Sequence, residues 1–117
     1  MVTPATKTQA PDHGIAGMVE RAGEVAALLK TLSHPARLAL ACTLAEGEYA
    51  VGELEEKLSI HQPSLSQQLT VLRNAGVVVT RRVGKQIFYR LSAEDAARLV
   101  EALHAIFCAD DAGDAKR

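Results

Sequence analysis

The feature that most limits what this chain can become lies in its middle, where a helical pattern stops at a glycine and passes straight into two short β-branched runs. Pro63 stands where a first helical turn needs no N–H, Leu65, Leu69 and Leu72 recur at the spacing of one helix face, and Gly76 follows as a stop. Residues 77–83 and 87–91 are then rich in β-branched and aromatic side chains and are separated by Gly84, Lys85 and Gln86, which predicts a β-hairpin. A leucine face and one side of a hairpin both need covering, so the flanking sequence has to supply helices.

It does. Met18, Ala22, Val25, Leu29 and Leu32 predict a first helix from about residue 17 to Thr31. Ser33 offers an N-cap oxygen and Pro35 a first turn for a second helix that runs to Ala45 and ends at Gly47, with His34 expected to fix its start rather than to bind metal. Val51, Leu54 and Leu58 mark a short third helix whose outer side carries Glu53, Glu55 and Glu56. After the hairpin, Ser92 or Ala93 opens a helix with a broad stripe of Ala96, Leu99, Val100, Leu103, Ile106 and Phe107, wide enough to pack a partner. The expected fold is mainly α with a β-hairpin wing, about five helices and two strands, in winged helix-turn-helix order.

At 117 residues the chain holds a single domain, expected over residues 16–108, with the polar stretches 1–15 and 109–117 as disordered tails. No apolar run approaches the roughly 18 residues of a membrane span, and the first 14 lack a secretory pattern, so a cytoplasmic protein without a membrane partner is expected.

Charge then separates the two ends from the middle. The formal net charge is only −1, yet between Lys57 and Ala93 there is no Asp or Glu, while Lys57, Arg73, Arg81, Arg82, Lys85 and Arg90 give that segment six positive charges. A basic block inside an acidic chain suits a polyanion such as DNA, although a solvated basic patch has the same look. The face of the fourth helix opposite its leucines tips the balance. Ser64, Gln67, Thr70, Val71 and Asn74 project there with Ser66 and Gln68 at its flanks, side chains that donate and accept at base edges without repelling the backbone. With two Tyr, two Phe and no Trp, a stacking platform for single strands is not expected, and Tyr89 reads as a hairpin packing residue.

The SHPARL entry to the second helix, the QPSLSQQLTVLRNAGVV helix with its exit and the RRVGKQIFYRL hairpin together resemble the ArsR/SmtB winged-helix repressors, over about residues 20–107. The resemblance implies a homodimer that places two reading helices in successive major grooves of double-stranded operator DNA, dimerising through its first and last helices. It implies DNA contacts at Gln62, Ser64, Ser66, Gln67 and Gln68, and wing contacts at Arg81, Arg82 and Lys85. It implies a regulator, not an enzyme, with no cofactor. Two metal sites of that family are missing. Ala50, Val51 and Gly52 stand where arsenic sensors carry Cys-Val-Cys, and the last helix opens Ala93, Glu94, Asp95, Ala96 and contains only His104, without the Asp and His ligands of zinc sensors.

Cys42 and Cys108 remain. Taken singly, each is as readily a small inert hydrophobe. As a pair they look like those of the sulfide-responsive and biofilm growth-associated branch, which implies redox sensing: reactive sulfur species as inducer and an intrasubunit bridge of two or more sulfurs that releases DNA. His104, four residues before Cys108, suggests a neighbour that lowers its pKa or plain packing. Two rivals stand beside this reading: a metal sensor built on Cys42, Cys108 and His104, and a thiol enzyme with Cys42 as nucleophile, which lacks a supporting His and Asp, an oxyanion loop and a phosphate-cradling glycine motif.

Overall fold

The computed structural model describes residues 14–108, so both expected tails lie outside the described residues except Gly14 and Ile15, which are already helical. The order is α1 (Gly14–Leu32), α2 (Pro35–Leu44), β1 (Tyr49–Ala50), α3 (Val51–Leu58), α4 (Gln62–Asn74), β2 (Val78–Val83), β3 (Gln86–Leu91) and α5 (Asp95–Phe107). This is the winged helix-turn-helix read from the sequence, with one strand more: β1 pairs antiparallel with β3, Tyr49 opposite Tyr89 and Ala50 opposite Phe88, so the sheet runs β1-β3-β2. Two residues carry no readable period, which is why that strand is invisible in the sequence.

The chain divides at Lys30 into two compact units. In the first, most of the predicted α1 stripe stays out of the core: Met18, Ala22 and Leu29 are exposed, as are Ile15 and Val19 beside them, and Val25 is half-buried, whereas Leu32, which falls in the second unit, is buried. The second unit, from Thr31 onward, holds the core, where Leu40, Leu54, Leu65, Leu69, Leu72, Val77, Val78 and Val100 are almost fully buried. The predicted α5 stripe splits in two. Ala96 and Val100 are buried, together with Ala97 beside them, and Leu99 and Leu103 are half-buried, whereas Ile106 and Phe107 are 68% and 74% exposed.

The N-cap of α2 is a correction. His34, not Ser33, occupies it, with Nδ1 accepting the Ala36 N–H at 3.1 Å. Only a ring nitrogen carrying no proton accepts that bond, so the cap uses one imidazole tautomer. Replacing a capping side chain by Ala costs about 1 kcal/mol. His34→Ala is therefore expected to lower the unfolding free energy by that amount, seen as a lower urea midpoint at an unchanged slope, and His34→Asn to recover most of it; an unchanged midpoint in His34→Ala would show the cap to be worthless.

The three-residue turn between α3 and α4 has no glycine. Ser59 takes the left-handed conformation, φ 57°, and its N–H donates to the Glu55 carbonyl at 2.9 Å, closing α3 so that α4 can start at Gln62. Glu53, expected on the outer acidic side of α3, reaches back to accept the Ala50 N–H at 2.8 Å and caps the helix start.

Candidate nucleic-acid interface and cysteine pair

α4 sorts its side chains as its sequence promised. Leu65, Leu69 and Leu72 are buried, while Ser64, Gln67, Thr70 and Asn74 are exposed and Val71 is half-buried. Pro63 lies in the first turn, His61 is the N-cap, and Gly76 at φ 79° leads the chain out toward β2. No acidic residue lies in the first turn, so the positive end of the helix dipole faces solvent uncompensated.

The exposed polar residues are not all equally free. Ser66 Oγ donates to Gln62 Oε1 at 2.6 Å and Thr70 Oγ1 donates to the Ser66 carbonyl at 2.9 Å. Gln68 differs more. It is half-buried, and its Oε1 accepts from Arg37 Nη1 at 2.9 Å while Arg37 Nε donates to the Thr31 carbonyl at 2.7 Å. Gln68 therefore fastens α4 to α2 through a residue that sequence reasoning passed over. The signal was faint, an arginine beside the helix start with no acid near it in sequence.

The hairpin turn contains two residues, Gly84 and Lys85, rather than three, because Val83 pairs directly with Gln86. Gly84 at φ 63° supplies the positive φ that the first central position of a type II′ turn demands. Arg82 and Lys85 project from this end, exposed, and among the described residues neither side chain takes part in a hydrogen bond or ion pair. Arg81 does. Its Nε and Nη2 each lie 2.8 Å from a Glu48 carboxylate oxygen, and its guanidinium sits over the Phe88 ring at 5.1 Å. The stretch free of acid in sequence thus acquires one in space. Tyr89 is half-buried opposite Tyr49 and Thr80, the packing position expected of it.

The start of α4 and the tip of the hairpin share one groove of about 340 Å³, with Gln62, Ser66, Lys85 and Tyr89 on its walls beside Ala50 and Gly52. Five of the residues singled out for DNA contact, Gln62, Ser64, Ser66, Gln67 and Lys85, therefore lie exposed on α4 and the turn that flank this groove, and Arg82 extends the hairpin side.

Cys42 and Cys108 are free thiols, both half-buried, on helices that pack together: Cys42 in α2 and Cys108 as the C-cap of α5. Burial pushes the Cys42 thiol above its ordinary pKa, and the negative charges of an ionised Cys108 and of Glu46 are near enough to push it further. The fold thus brings within electrostatic reach two sulfurs that are 66 positions apart. His104 turns elsewhere: its Nε2 lies 3.3 Å from Glu46 Oε2, and its backbone carbonyl accepts the Cys108 N–H at 2.8 Å. Among the described residues no group of three or more His, Cys, Asp or Glu is placed to hold a metal ion. No described helix is long and apolar enough to cross a membrane.

Residues 34–80 match the family model described as bacterial regulatory protein, arsR family. The chain is 63% identical over 114 residues to the biofilm growth-associated repressor of Agrobacterium fabrum, an alignment covering 95% of this chain and 97% of that one. Its fold matches the crystal structure of the transcriptional repressor BigR from Xylella fastidiosa with a TM-score of 0.76 at 62% identity, covering 84% of this chain and 97% of the other. It also matches a homodimeric winged helix-turn-helix DNA-binding domain from Mycobacterium bovis, with a TM-score of 0.66 at 31% identity over 80% of this chain and 84% of that one.

Proposed function

Since the chain belongs to the arsR family of bacterial regulatory proteins, we propose that it is a homodimeric transcriptional repressor that holds operator DNA when reduced and releases it when a reactive sulfur species bridges Cys42 and Cys108. The DNA-binding half of this reading rests on the acid-free exposed face of α4 beside a basic wing. Phosphate contacts from Arg82 and Lys85 position the protein, and Gln62, Ser64, Ser66 and Gln67 read base edges. Gln68 contributes by holding α4 against α2. Dimerisation buries the exposed Ile106 and Phe107 of α5, with the exposed apolar residues of α1 as further candidates.

The observation that carries the sensing half is that two free, half-buried thiols sit on helices that pack together, Cys42 in α2 and Cys108 at the C-cap of α5. One cysteine thiolate attacks the outer sulfur of a hydropersulfide, forming a protein persulfide and releasing the donor as a thiolate. The other cysteine thiolate attacks the protein sulfur of that persulfide, closing a disulfide and expelling hydrosulfide. Two cysteine thiols are oxidised and one sulfane sulfur is reduced, so no further oxidant is needed. If a second donor first lengthens the persulfide by one sulfur, attack of the other thiolate on the inner added sulfur, again expelling hydrosulfide, leaves a trisulfide, which spans a longer gap than the roughly 4.4–6.8 Å between Cα atoms that a disulfide requires.

Closing the bridge draws the end of α2 toward the end of α5. The chain leaves α2 through Glu46, which faces His104, and two residues later reaches Glu48, which grips the wing, so the movement has a short covalent route to the DNA side. Gel-shift titration of the reduced protein with duplex DNA, repeated after polysulfide treatment, tests the reading. Tight salt-dependent binding that is lost on treatment and regained with reductant is expected. A complex indifferent to polysulfide removes the sensing role, and loss of binding on adding metal, undiminished by excess reductant, favours a metal sensor instead.

A further inference from the structure

Resting on the DNA-binding reading, we infer that Glu48 and Arg81 form a clamp that positions the wing, and that the wing's phosphate-facing charge resides in Arg82 and Lys85 instead. Glu48 immediately precedes β1, the edge strand whose Ala50 pairs with Phe88 of β3, and Phe88 in turn pairs with Arg81 of β2. The carboxylate therefore reaches across the central strand to the opposite edge, and with one side chain ties together both edges of the three-stranded sheet.

The geometry is that of the strongest carboxylate recognition available to a protein. Two guanidinium nitrogens meet two oxygens at 2.8 Å each, the planar group lies over Phe88, and Arg90 Nε stands 3.9 Å from Glu48 as a second cation. The hydrogen bonds from Arg81 hold the Glu48 carboxyl below the usual carboxylate range, so the clamp stays ionised at neutral pH. Both partners are solvent-exposed in part, and pairs of this kind contribute little to global stability. Their effect is local. β1 is only two residues long, so its ladder alone restrains the hairpin weakly. An arginine whose fork is already filled by a carboxylate cannot offer the same fork to a phosphate.

Two measurements decide the matter. In the first, duplex affinity is followed against salt concentration for the wild type and for Glu48→Gln, Arg81→Ala, Arg82→Ala and Lys85→Ala. Arg82→Ala and Lys85→Ala are expected to reduce the slope of log affinity against log salt by about 0.9 for each phosphate no longer neutralised. Glu48→Gln and Arg81→Ala are expected to keep the slope, to lower affinity roughly two- to fivefold, and to cost no more when combined than either does alone. In the second, hydrogen exchange in the free protein is expected to quicken for β2 and β3 amides in Glu48→Gln and Arg81→Ala only, at an unchanged denaturation midpoint. A reduced slope in Arg81→Ala together with tighter binding by Glu48→Gln would overturn the clamp, making Arg81 a phosphate ligand with which Glu48 competes. Unaltered wing exchange in both variants overturns it as well. A wild type that ignores duplex DNA at every salt concentration defeats the DNA reading, and the exchange result still decides whether the clamp exists.

Discussion

Exposed to a hydropersulfide, the reduced wild-type protein is expected to lose operator affinity by up to about 150-fold, while Cys42→Ser and Cys108→Ser keep theirs. Each serine variant retains one thiolate, so it is able to take up sulfur but unable to close a bridge within the subunit. Intact-mass analysis of the same samples separates these outcomes: a bridged product in the wild type only, and at most a persulfide on the remaining cysteine in each variant. The ceiling comes from linkage, because a bridge shifts the DNA-binding equilibrium only by its differential free energy between bound and released states, about 1–3 kcal/mol for typical couplings.

The pH dependence of bridging has a definite sign. Burial and two nearby negative charges raise the Cys42 pKa, so neutral pH lies on the protonated side and the thiolate fraction grows as pH rises. Bridging is therefore expected to accelerate with pH across the neutral and mildly alkaline range. The same raised pKa favours the protonated thiol in the folded state, a contribution to stability that is present below the unfolded pKa and is lost as pH rises through the folded one. A serine variant that still releases DNA on persulfide treatment would sink the bridge, whatever the mass spectrum shows.

Leu69→Ala is expected to cost about 2–5 kcal/mol of folding stability, a large share of the roughly 5–15 kcal/mol that holds a domain together. Leu69 is 1% exposed on the underside of α4, flanked by the equally buried Leu65 and Leu72, so truncation leaves a cavity with little room to collapse. Leu69→Met, which nearly conserves volume, is expected to cost less than about 1.5 kcal/mol. Gln67 lies on the opposite, exposed face of the same helix. Gln67→Ala should leave stability within about 0.5 kcal/mol and weaken operator binding by about 1–3 kcal/mol. Urea denaturation and duplex titration of the three variants measure both quantities. A Leu69→Ala protein as stable as the wild type would mean that the leucine face of α4 is not part of the core.

The contrast between those two faces marks what a linear reading captures. Helical spacing alone assigned Leu65, Leu69 and Leu72 to the inside and Ser64 and Gln67 to the outside, because a period of about 3.6 residues is a local property. The hairpin was legible for the same reason, since alternation and a glycine at its turn are written in neighbouring positions. Strand β1 was not, as two residues depend entirely on the partner strand that receives them. The exposed α1 stripe shows the other limit: apolar spacing predicts a helix that seeks a surface to cover, without saying whether that surface lies in the same subunit.

Pairings between distant side chains mark the rest of that boundary. Charge counted along the chain made residues 57–93 uniformly basic, yet Glu48 lies across the sheet on Arg81, and Arg37 holds Gln68 on the seam rather than on the open face. Helix identity, the inward leucines, the stop at Gly76 and the tight turn at Gly84 were determined by sequence itself, because each follows from the steric and hydrogen-bonding habits of a few consecutive residues. Whether Cys42 could feel Cys108, which nitrogen of His34 caps a helix and which arginine of the wing is already taken were decided only by tertiary structure. Hydrogen bonds act over about 3 Å and screened charges over about 10 Å, and only the folded chain converts separations of tens of residues into such distances.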